Sequence, residues 1–475
     1  MDVAVDAHAL GSEGFRRRYG VRLAYVAGSM YRGISSPDMV VRMGEAGLLA
    51  FLGTGGLASA RLTRAVDDVC QRLGGRGVFG LNLLAAPSRP VDEEAVVDLC
   101  LARDISAVET SAFVTVTPPM VRYRLQGVRE GRDGEVVAPR RIMAKVSRPE
   151  VARLFLGPPP EPIVRQLRET GRITEDEARL ARRVTMADSI TVEADSGGHT
   201  DQRSALTLLP DILRLRDETQ SQVPSGRRVS IGAAGGLGTP ESVAAVFLIG
   251  ADYVLTGSVN QCTVEAGTSE LVKEMLQGVG TADTAMAPAG DMFQEGAKVQ
   301  VVGRGTLFAP RGRKLYELYH QHASWEELVR SDPRVARQIE ERYFGRGFEE
   351  VWQETRAYYG ARYPEEVERA ERQPRRKLAL VFRRYFSLSS RWAQEGKESQ
   401  RVNFQIQCGP ALGAWNRCVR GTALEPWRSR HVDQVADVLM GGAADLLSAT
   451  VGRYASRTSP LPATVPAGSS TGRQS

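Results

Sequence analysis

The segment VEADSGGHTD, residues 192–201, contains the densest group of side chains suited to chemistry. It continues an apolar run typical of a strand, so His199 is expected just beyond a strand end. Gly197 and Gly198 carry no Cβ, which lets the backbone approach a planar ligand closely. An isolated histidine is more often a satisfied core or capping residue. Here the flanking acids and the paired glycines favour a catalytic site instead.

Two glycine-rich turns form a second signal. In GAAGGLGTPESV, residues 232–243, an apolar run enters glycines and is followed by a threonine–proline helix start. Successive backbone N–H groups and the helix dipole at such a turn favour a bound phosphate. LTGSVNQ, residues 255–261, ends another apolar run in small residues. One such turn is a weak indication, whereas two together predict a phosphate site formed by Gly235, Gly236, Gly257 and Ser258.

Three further positions suit a flavin. AGSM, residues 27–30, ends an early apolar run, and its small residues and methionine suit one face of an isoalloxazine ring. Asn82, in GLNL, carries an amide that can hydrogen bond to the pyrimidine edge of that ring. Lys145 ends the run RIMAKV, where a cation would stabilise the negative charge of a reduced flavin. A structural ion pair explains a lysine at this position equally well.

The elements that must position these residues follow a regular rhythm. Eight apolar runs alternate with amphipathic, helix-like segments, at 23–30, 48–55, 77–85, 107–114, 141–146, 189–195, 228–236 and 252–258. Apolar strands alternating with helices indicate a parallel sheet covered by helices. Eight strands in about 260 residues predict an α/β fold of the closed (β/α)₈ barrel type rather than an open sheet. The two glycine-rich turns then fall in the seventh and eighth βα loops, where this fold usually binds phosphate.

The residue pattern changes along the chain and predicts three parts. These are a barrel over residues 15–275, an extension over 276–450 and a disordered tail over 457–475. Residues 156–184 interrupt the barrel with a proline-rich loop and a helical pair. We expect this insertion to form a lid at the C-terminal face of the barrel. The extension contains all five tryptophans and long amphipathic stretches, which predict an α-helical subdomain for substrate or carrier docking.

Composition narrows the class of protein. Hydrophobic residues make up 42% and charged residues 25% of the chain, as in ordinary globular proteins. No uninterrupted apolar run reaches the ~18 residues of a membrane span, and the N-terminus lacks a secretory pattern, so we expect a cytoplasmic protein without membrane contact. The net charge of +6 comes from arginines interspersed with acids, which argues against nucleic acid binding. The five cysteines show no zinc-site spacing, so no metal is expected.

These motifs resemble the nitronate monooxygenase (2-nitropropane dioxygenase) superfamily of FMN barrels. The shared motifs are AGSM, GLNL, SGGH, the AAGG loop and the GS loop. Within that superfamily the chain resembles the PfaD-type enoyl reductases that serve polyunsaturated fatty acid and polyketide synthases. The closer resemblance rests on VEADSGGHTD, on the long segment 283–319 and on SSRWAQ followed by IQCGPALGAWN within 389–416. It extends over about residues 15–450.

The resemblance implies a bound FMN, reduction by NADPH or NADH, and an enoyl thioester substrate on an acyl carrier protein. It implies FMN contacts from Ala27, Gly28, Met30, Asn82, Lys145, Glu193, Gly197, Gly198, Gly235, Gly236, Gly257 and Ser258. His199 and Lys145 are the expected catalytic residues. Nitronate monooxygenases usually carry a glutamine–glycine pair where this chain has Glu193 and Asp195, which favours the enoyl reductase. A nitronate monooxygenase and a non-catalytic carrier-docking subunit remain the alternatives.

An acidic carrier protein would require basic residues beside the active site. Two clusters in the extension are candidates. The first consists of Arg311, Arg313 and Lys314, and the second of residues 375–377. A solvated, salt-bridged surface explains any single one of these residues as well. The first cluster is the better docking candidate, and the sequence leaves the oligomeric state open, a homodimer included.

Overall fold

The computed structural model describes residues 4–86, 89–199, 201–223, 227–360 and 363–455. The tail that we predict to be disordered, residues 457–475, lies outside the described residues. The strands of the described part are β1 (Tyr25–Ala27), β2 (Leu49–Leu52), β3 (Phe79–Leu84), β4 (Ala107–Ser111), β5 (Arg129–Glu130), β6 (Val136–Val137), β7 (Arg141–Val146), β8 (Ser189–Glu193), β9 (Gly198–His199), β10 (Ser230–Ala234), β11 (Tyr253–Thr256), β12 (Thr284–Pro288) and β13 (Lys298–Val302).

The helices surround these strands and form most of the second half of the chain. They are α1 (Glu13–Tyr19), α2 (Pro37–Glu45), α3 (Ser59–Leu73), α4 (Pro90–Ala102), α5 (Pro118–Leu125), α6 (Pro149–Leu156), α7 (Glu161–Glu169), α8 (Glu175–Leu180), α9 (Ala205–Thr219), α10 (Pro240–Ile249), α11 (Glu270–Gln277), α12 (Phe308–Gln321), α13 (Trp325–Ser331), α14 (Pro333–Gln338), α15 (Phe348–Gly360), α16 (Pro364–Arg372), α17 (Pro374–Glu395), α18 (Ala411–Cys418) and α19 (Val432–Ala455).

Eight parallel strands close into a barrel in the spatial order β1-β11-β10-β8-β7-β4-β3-β2. Each of them lies within one of the eight apolar runs that predict strands. The predicted (β/α)₈ barrel is therefore confirmed. In this fold ligands bind at the end where the strands finish, which we call the mouth.

Helix α1 closes the opposite end of the barrel. Phe15 stacks on Tyr253 inside the barrel, with 4.3 Å between ring centroids. The Tyr19 hydroxyl donates a hydrogen bond of 3.2 Å to Ser189 Oγ. Both aromatic side chains of α1 are buried, and burial of one such side chain contributes about 1.5–3 kcal/mol to stability. The closed end leaves the mouth as the route by which a ligand reaches the barrel interior.

The last helix completes the barrel instead of the helical extension. Helix α19 packs between α10, which follows the seventh barrel strand, and α2, which follows the first. This is the position of the eighth barrel helix, so residues 257–431 are inserted between β11 and α19. The segment Val432–Tyr454 is long and apolar enough to cross a membrane by length and composition. Val435, Leu439 and Met440 are among its side chains that are buried where the helix packs on the barrel.

The insertion at 156–184 lies at the wrong end of the barrel for the expected lid. Helix α6 follows β7 and returns along the barrel, so α7 and α8 come after it, beside the starts of the strands. Gly127 N donates to Glu177 Oε1 of α8 at 2.6 Å, and Arg124 Nε donates to Thr185 O at 2.8 Å. The segment therefore covers the N-terminal end of the barrel and does not wall the mouth.

The extension is joined to the sixth barrel loop through a small antiparallel sheet. Its strand order is β12-β13-β9, so β9 of the SGGH loop pairs with β13. In this register His199 lies opposite Val299, and Gly198 lies opposite Gln300. Behind the sheet, α12 packs on β12 and on α17 around buried aromatic side chains such as Phe308. The predicted α-helical region is thus present, and its sheet holds the segment that carries His199.

Candidate active site

A buried carboxyl group organises the polar side chains at the mouth. Glu109 on β4 is fully buried, and its register partner on β3 is Asn82. Asn82 Nδ2 donates to Glu109 Oε2 at 3.3 Å, to Glu109 O at 3.1 Å and to Ser111 Oγ at 2.8 Å. The backbone N–H and the hydroxyl of Ser29 also donate to Glu109 Oε2. Glu109 therefore fixes both the amide of Asn82 and the loop after β1.

Lys145 pairs with Glu193 on the neighbouring strand. The distance from Lys145 Nζ to Glu193 Oε1 is 3.1 Å, and both side chains are largely buried. Burial lowers the pKa of Lys145, but the charges of Glu193 and Glu109 outweigh it and hold that pKa above its ordinary value. Burial also raises the pKa of Glu109, against the opposing charge of Lys145. Lys145 is therefore a permanent cation at the mouth. This agrees with a role in stabilising the negative charge of a reduced flavin and equally with a role as a structural ion pair.

Removal of that cation should destabilise the fold. In Lys145→Met the two buried carboxyl groups lose their ammonium partner, and loss of one member of a buried ion pair typically costs about 3–5 kcal/mol. We expect a fall of about 3 kcal/mol in the free energy of unfolding, measured by urea denaturation. The double variant Lys145→Met/Glu193→Gln should recover most of the loss. A single variant as stable as the parent would show that the pair contributes nothing.

His199 pairs with an aspartate from the extension. His199 Nε2 lies 3.2 Å from Asp291 Oδ1, and the imidazole is about 36% exposed. The hydrogen bond with Asp291 raises the pKa of His199 above its ordinary value, although partial burial opposes the shift. A raised pKa increases the fraction of protonated imidazole at neutral pH. His199 is thus an exposed, oriented group that can donate a proton at the mouth.

The loop 408–410 of the extension packs against two of the predicted site segments. Gly409 N donates to Ser258 Oγ at 3.0 Å. A Cβ on Gly197 would lie 2.8 Å from Gly409 N and 3.0 Å from Cys408 Cα, so a larger residue at position 197 would displace this loop. The segment IQCGPALGAWN thereby joins the sixth and eighth barrel loops.

The glycines of the predicted phosphate site form an open cradle. Gly235 and Gly236 have φ values of +86° and +73°, which side chains other than glycine rarely adopt. A Cβ on Gly235 would lie 2.7 Å from Asp195 O, so this position requires glycine. A Cβ on Gly236 or Gly257 would meet no atom of the described residues within 4 Å, so these backbones face open space there. Next to them, α10 begins with a capping box between Thr239 and Ser242, which satisfies its first N–H groups locally.

The loop after β1 approaches the same end of the barrel. Ala27 ends β1 and is buried. A Cβ on Gly28 would lie 2.5 Å from Leu255 Cδ2, so glycine allows this close packing against β11. Met30 is half-buried, and a Cβ on Gly53 would lie 1.9 Å from Met30 O. These contacts fix the backbone of AGSM beside the polar side chains of Glu109 and Lys145.

The mouth fits a polar aromatic ligand with a phosphate, such as FMN. Three buried polar atoms there have no hydrogen-bond partner among the residues that the structure describes, namely Glu109 Oε1, Asp195 Oδ1 and Gln300 Oε1. Unpaired buried polar groups are costly, and a ligand with donor groups would satisfy them. The open backbone at Gly236 and Gly257 suits a phosphate. Within the described ranges, no group of three or more His, Cys, Asp or Glu side chains is arranged to hold a metal ion.

The sequence misses several residues of this site. Glu109 is the single charged residue in the run AVETSAFV, which is the one available sign that it faces the barrel interior. Asp291 is 92 positions from His199 in the chain, so no local pattern connects them. Gln300 reaches the site only through the pairing of β13 with β9. All three depend on long-range contacts that spacing within one segment cannot reveal.

Two family profiles match the chain. The profile of the nitronate monooxygenase family matches residues 22–304, which include all eight barrel strands and the sheet of the extension. The profile described as the inserted helical domain of acyl-carrier-protein S-malonyltransferase matches residues 322–404, which include α13 to α17. The two profiles therefore divide the chain between barrel and helical region.

Two relatives with high sequence identity are proteins of polyketide and polyunsaturated fatty acid synthesis. The chain is 46% identical over 447 residues to the polyketide biosynthesis protein PksE of Bacillus subtilis (strain 168), covering 94% of this chain and 58% of that protein. It is 42% identical over 421 residues to a polyunsaturated fatty acid synthase protein of Thraustochytrium sp., covering 88% of this chain and 28% of that protein. The chain thus spans a little over half of the first relative and less of the second.

Solved structures place the family more narrowly. The enoyl reductase domain of MlnA, from the macrolactin biosynthesis cluster of Bacillus amyloliquefaciens, superposes with a TM-score of 0.90 at 41% identity over 94% of this chain and 100% of that one. FabK from Thermotoga maritima shares the fold, with a TM-score of 0.54 at 16% identity over 92% of this chain and 98% of that one. The chain therefore belongs to the nitronate monooxygenase-like superfamily of barrel oxidoreductases and, within it, to the PfaD-type enoyl reductases.

Proposed function

We propose that this chain is an FMN-dependent enoyl reductase that acts in trans on an acyl carrier protein, in polyketide or polyunsaturated fatty acid biosynthesis. It uses NADPH or NADH to reduce the α,β-double bond of an enoyl thioester. The observation that carries the proposal is the mouth itself, where unpaired buried polar atoms and an open glycine cradle lie beside an oriented histidine. The similarity to the enoyl reductase domain of MlnA supports the reaction type.

In this proposal the flavin phosphate binds at the cradle of Gly235, Gly236 and Gly257, with Ser258 beside it. AGSM and Asn82 would hold the ring, and the positive charge of Lys145 would stabilise the negative charge of the reduced flavin. Bound FMN supplies the hydride chemistry. The protein contributes a site whose far end is closed by the buried aromatic side chains of α1. Glu109 holds Asn82 and the loop after β1 in place by the hydrogen bonds described above.

His199 is the proposed proton donor. Hydride addition at the β-carbon of an enoyl thioester leaves negative charge at the α-carbon and the carbonyl oxygen, and a proton at the α-carbon completes the reduction. Protonated His199 can supply that proton or donate a hydrogen bond to the thioester carbonyl. Asp291 orients the imidazole and stabilises its protonated form, because a carboxylate at 3.2 Å favours the charged ring.

The carrier partner is supported by the relatives and by the helical region. The relatives are proteins of polyketide and polyunsaturated fatty acid synthesis.

Most of the expected docking residues, however, form contacts within the chain. Arg311 donates to Arg342 O at 2.9 Å and lies 4.8 Å from the ring centroid of Tyr343, so it is part of the helical core.

The second basic cluster is also largely paired within the chain. Arg376 and Lys377 form ion pairs with glutamates of α16 and α15, at 3.0 Å and 2.9 Å. Arg375 lies 5.0 Å from the ring centroid of Tyr319. Arg313 and Lys314 form no hydrogen bond, ion pair or ring contact within the described ranges, and Arg313 is the exposed one of the two, so it is the docking candidate that we test.

Charge reversal at that position tests carrier docking. In Arg313→Glu the charge of an exposed residue on α12 is reversed, and exposed charge pairs contribute up to about 1 kcal/mol. We expect KM for a crotonyl-carrier substrate to rise about fivefold at low salt, because a change of about 1 kcal/mol in binding free energy corresponds to roughly a fivefold change in affinity. KM for crotonyl-coenzyme A should not change. The control Arg214→Glu, on α9 of the barrel, should affect neither substrate, and equal losses on both substrates in Arg313→Glu would contradict docking here.

Steady-state assays distinguish the proposal from its alternatives. Loss of a crotonyl thioester that depends on NADPH or NADH supports an enoyl reductase. Oxygen consumption with an alkyl nitronate, without thioester reduction, would identify a nitronate monooxygenase, which the family profile over residues 22–304 keeps as the second candidate. Purified protein without flavin would identify a non-catalytic docking protein.

A further inference from the structure

Helix α17 brings several arginines to the edge of the mouth. Gln394 Nε2 donates to Arg32 O, in the loop after β1, at 2.6 Å. One turn earlier on α17 is Arg391, whose charge acts on Arg384. Arg383 donates to Gly290 O and Asp291 O, beside the partner of His199. We refer to Arg384 and Arg391 of α17, together with Arg32 of the loop after β1, as the α17 arginine cluster.

Arg384 is a buried cation whose charge is poorly matched. Its side chain is 7% exposed, and its Nε is buried with no hydrogen-bond partner in the described part of the chain. The nearest acid is Glu354, whose Oε2 lies 4.0 Å from an Arg384 amino group. Both carboxylate oxygens of Glu354 already bind Arg346, at 2.6 Å and 2.8 Å. Burial, together with the charge of Arg391, lowers the pKa of Arg384, as expected for a cation without its own counter-ion.

Arg32 is held in an uncommon backbone conformation. Its φ of 57° and ψ of 26° lie in the left-handed region, which residues with a side chain rarely adopt. Its N–H donates to Gly55 O at 2.8 Å, and its carbonyl accepts from Gln394, so both sides of the residue are fixed. Its Nε is buried and has no partner among the described residues. Backbone strain of this kind concentrates at functional sites.

Two tyrosines lie against two of the three arginines. The Arg32 Cζ lies 5.7 Å from the ring centroid of Tyr31, and the Arg384 Cζ lies 4.7 Å from that of Tyr358. Tyr31 and Tyr358 are 44% and 36% exposed, so both rings reach solvent, and Asp291, the partner of His199, lies within electrostatic range of Tyr31. The cluster therefore borders the same opening as His199. Among its three guanidinium groups, Arg391 is the one that has an acid of its own in the described ranges, Glu395 at 3.6 Å.

We propose that the α17 arginine cluster binds a phosphate ester at the entrance to the active site. Guanidinium groups bind phosphate oxygens through paired, charge-assisted hydrogen bonds, which would satisfy Arg384 and the Nε of Arg32. The inference rests on the proposed function for the source of the phosphate. One source is the phosphate of a phosphopantetheine arm, and the other is the 2′-phosphate that distinguishes NADPH from NADH.

Equilibrium binding by calorimetry tests the site on the purified full-length protein without requiring turnover. The probes are 4′-phosphopantetheine against pantetheine, and NADP⁺ against NAD⁺. Arg384→Gln removes a guanidinium group that would form charge-assisted hydrogen bonds with the phosphate, so it should weaken binding of the phosphorylated probe about tenfold or more. Arg391→Gln changes a half-exposed side chain and gives a second variant that preserves the fold. Arg165→Gln, exposed on α7 at the other end of the barrel, is the control.

The outcomes are distinct. A loss confined to 4′-phosphopantetheine assigns the site to the arm of the carrier, and a loss confined to NADP⁺ assigns it to the nucleotide. If both variants bind all four probes as the parent does, or if the parent does not prefer either phosphorylated probe, the site does not exist. A parent that shows this preference but reduces no enoyl thioester would refute the proposed function and leave the phosphate site standing.

Discussion

Gly236→Leu should fold and yet be purified without flavin. The Cβ at this position projects into open space, so the leucine side chain would occupy the cradle that we assign to the phosphate. Its φ of +73° adds about 1–2 kcal/mol of backbone strain, which a stable barrel tolerates. We expect flavin content to fall from near one equivalent to near zero, measured by absorbance after denaturation, and the released flavin of the parent to chromatograph as FMN.

Gly345→Leu is a matched control for that strain. Gly345 has a φ of +71°, and a Cβ there also meets no atom within 4 Å, but it lies in the helical extension. This variant should keep its flavin with a similar loss of stability. Equal flavin loss in both variants would mean that destabilisation, rather than occupation of the cradle, empties the site. Release of FAD by the parent would also overturn the cradle as a site for a terminal phosphate.

His199→Ala should slow reduction of the enoyl thioester by about 10²–10⁴-fold, the usual contribution of general acid catalysis. Flavin content and the rate of flavin reduction by NADPH should change much less, because the imidazole acts on the thioester in our account. Rapid mixing separates these two half-reactions by following the flavin absorbance. If both half-reactions in His199→Ala match those of the parent, His199 is structural and the proton has another source.

Asp291→Asn tests whether the pair tunes His199. Without the carboxylate, the pKa of His199 should fall toward its ordinary value. As the pH is raised, the imidazole therefore loses its proton at a lower pH in the variant than in the parent. The rate of thioester reduction should therefore decrease from a lower pH in this variant than in the parent, with little change at acidic pH. Identical pH profiles for the variant and the parent would show that Asp291 does not act on the imidazole.

The barrel follows from the sequence because its strands are apolar, short and regularly spaced. Each predicted run contains its strand, and the glycine turns after β10 and β11 fall where the strand count predicts. Strand ends are local features, so spacing along the chain is sufficient to place Asn82, Lys145 and Glu193 at the mouth. Their mutual contacts then follow from the closure of the barrel.

The parts that sequence reasoning misses depend on contacts between distant segments. Helix α19 resembles its neighbours in the extension, and only its packing on α10 identifies it as the eighth barrel helix. In the sequence the insertion at 156–184 follows a barrel strand, which predicts that it lies at the mouth. In the structure the short helix α6 comes between that strand and the insertion and returns along the barrel, so the insertion lies at the other end. Arg311 is basic like Arg313, yet its hydrogen bond to Arg342 O makes it structural. Periodicity does not distinguish such cases.

The most direct test of the account is the anaerobic absorbance spectrum of the purified protein through one reaction cycle. The account predicts flavin bands that bleach when NADPH or NADH is added and return when crotonyl-coenzyme A is added, with one equivalent of butyryl thioester formed. Absence of flavin bands would contradict the account, and so would bands that bleach but return only when oxygen is admitted.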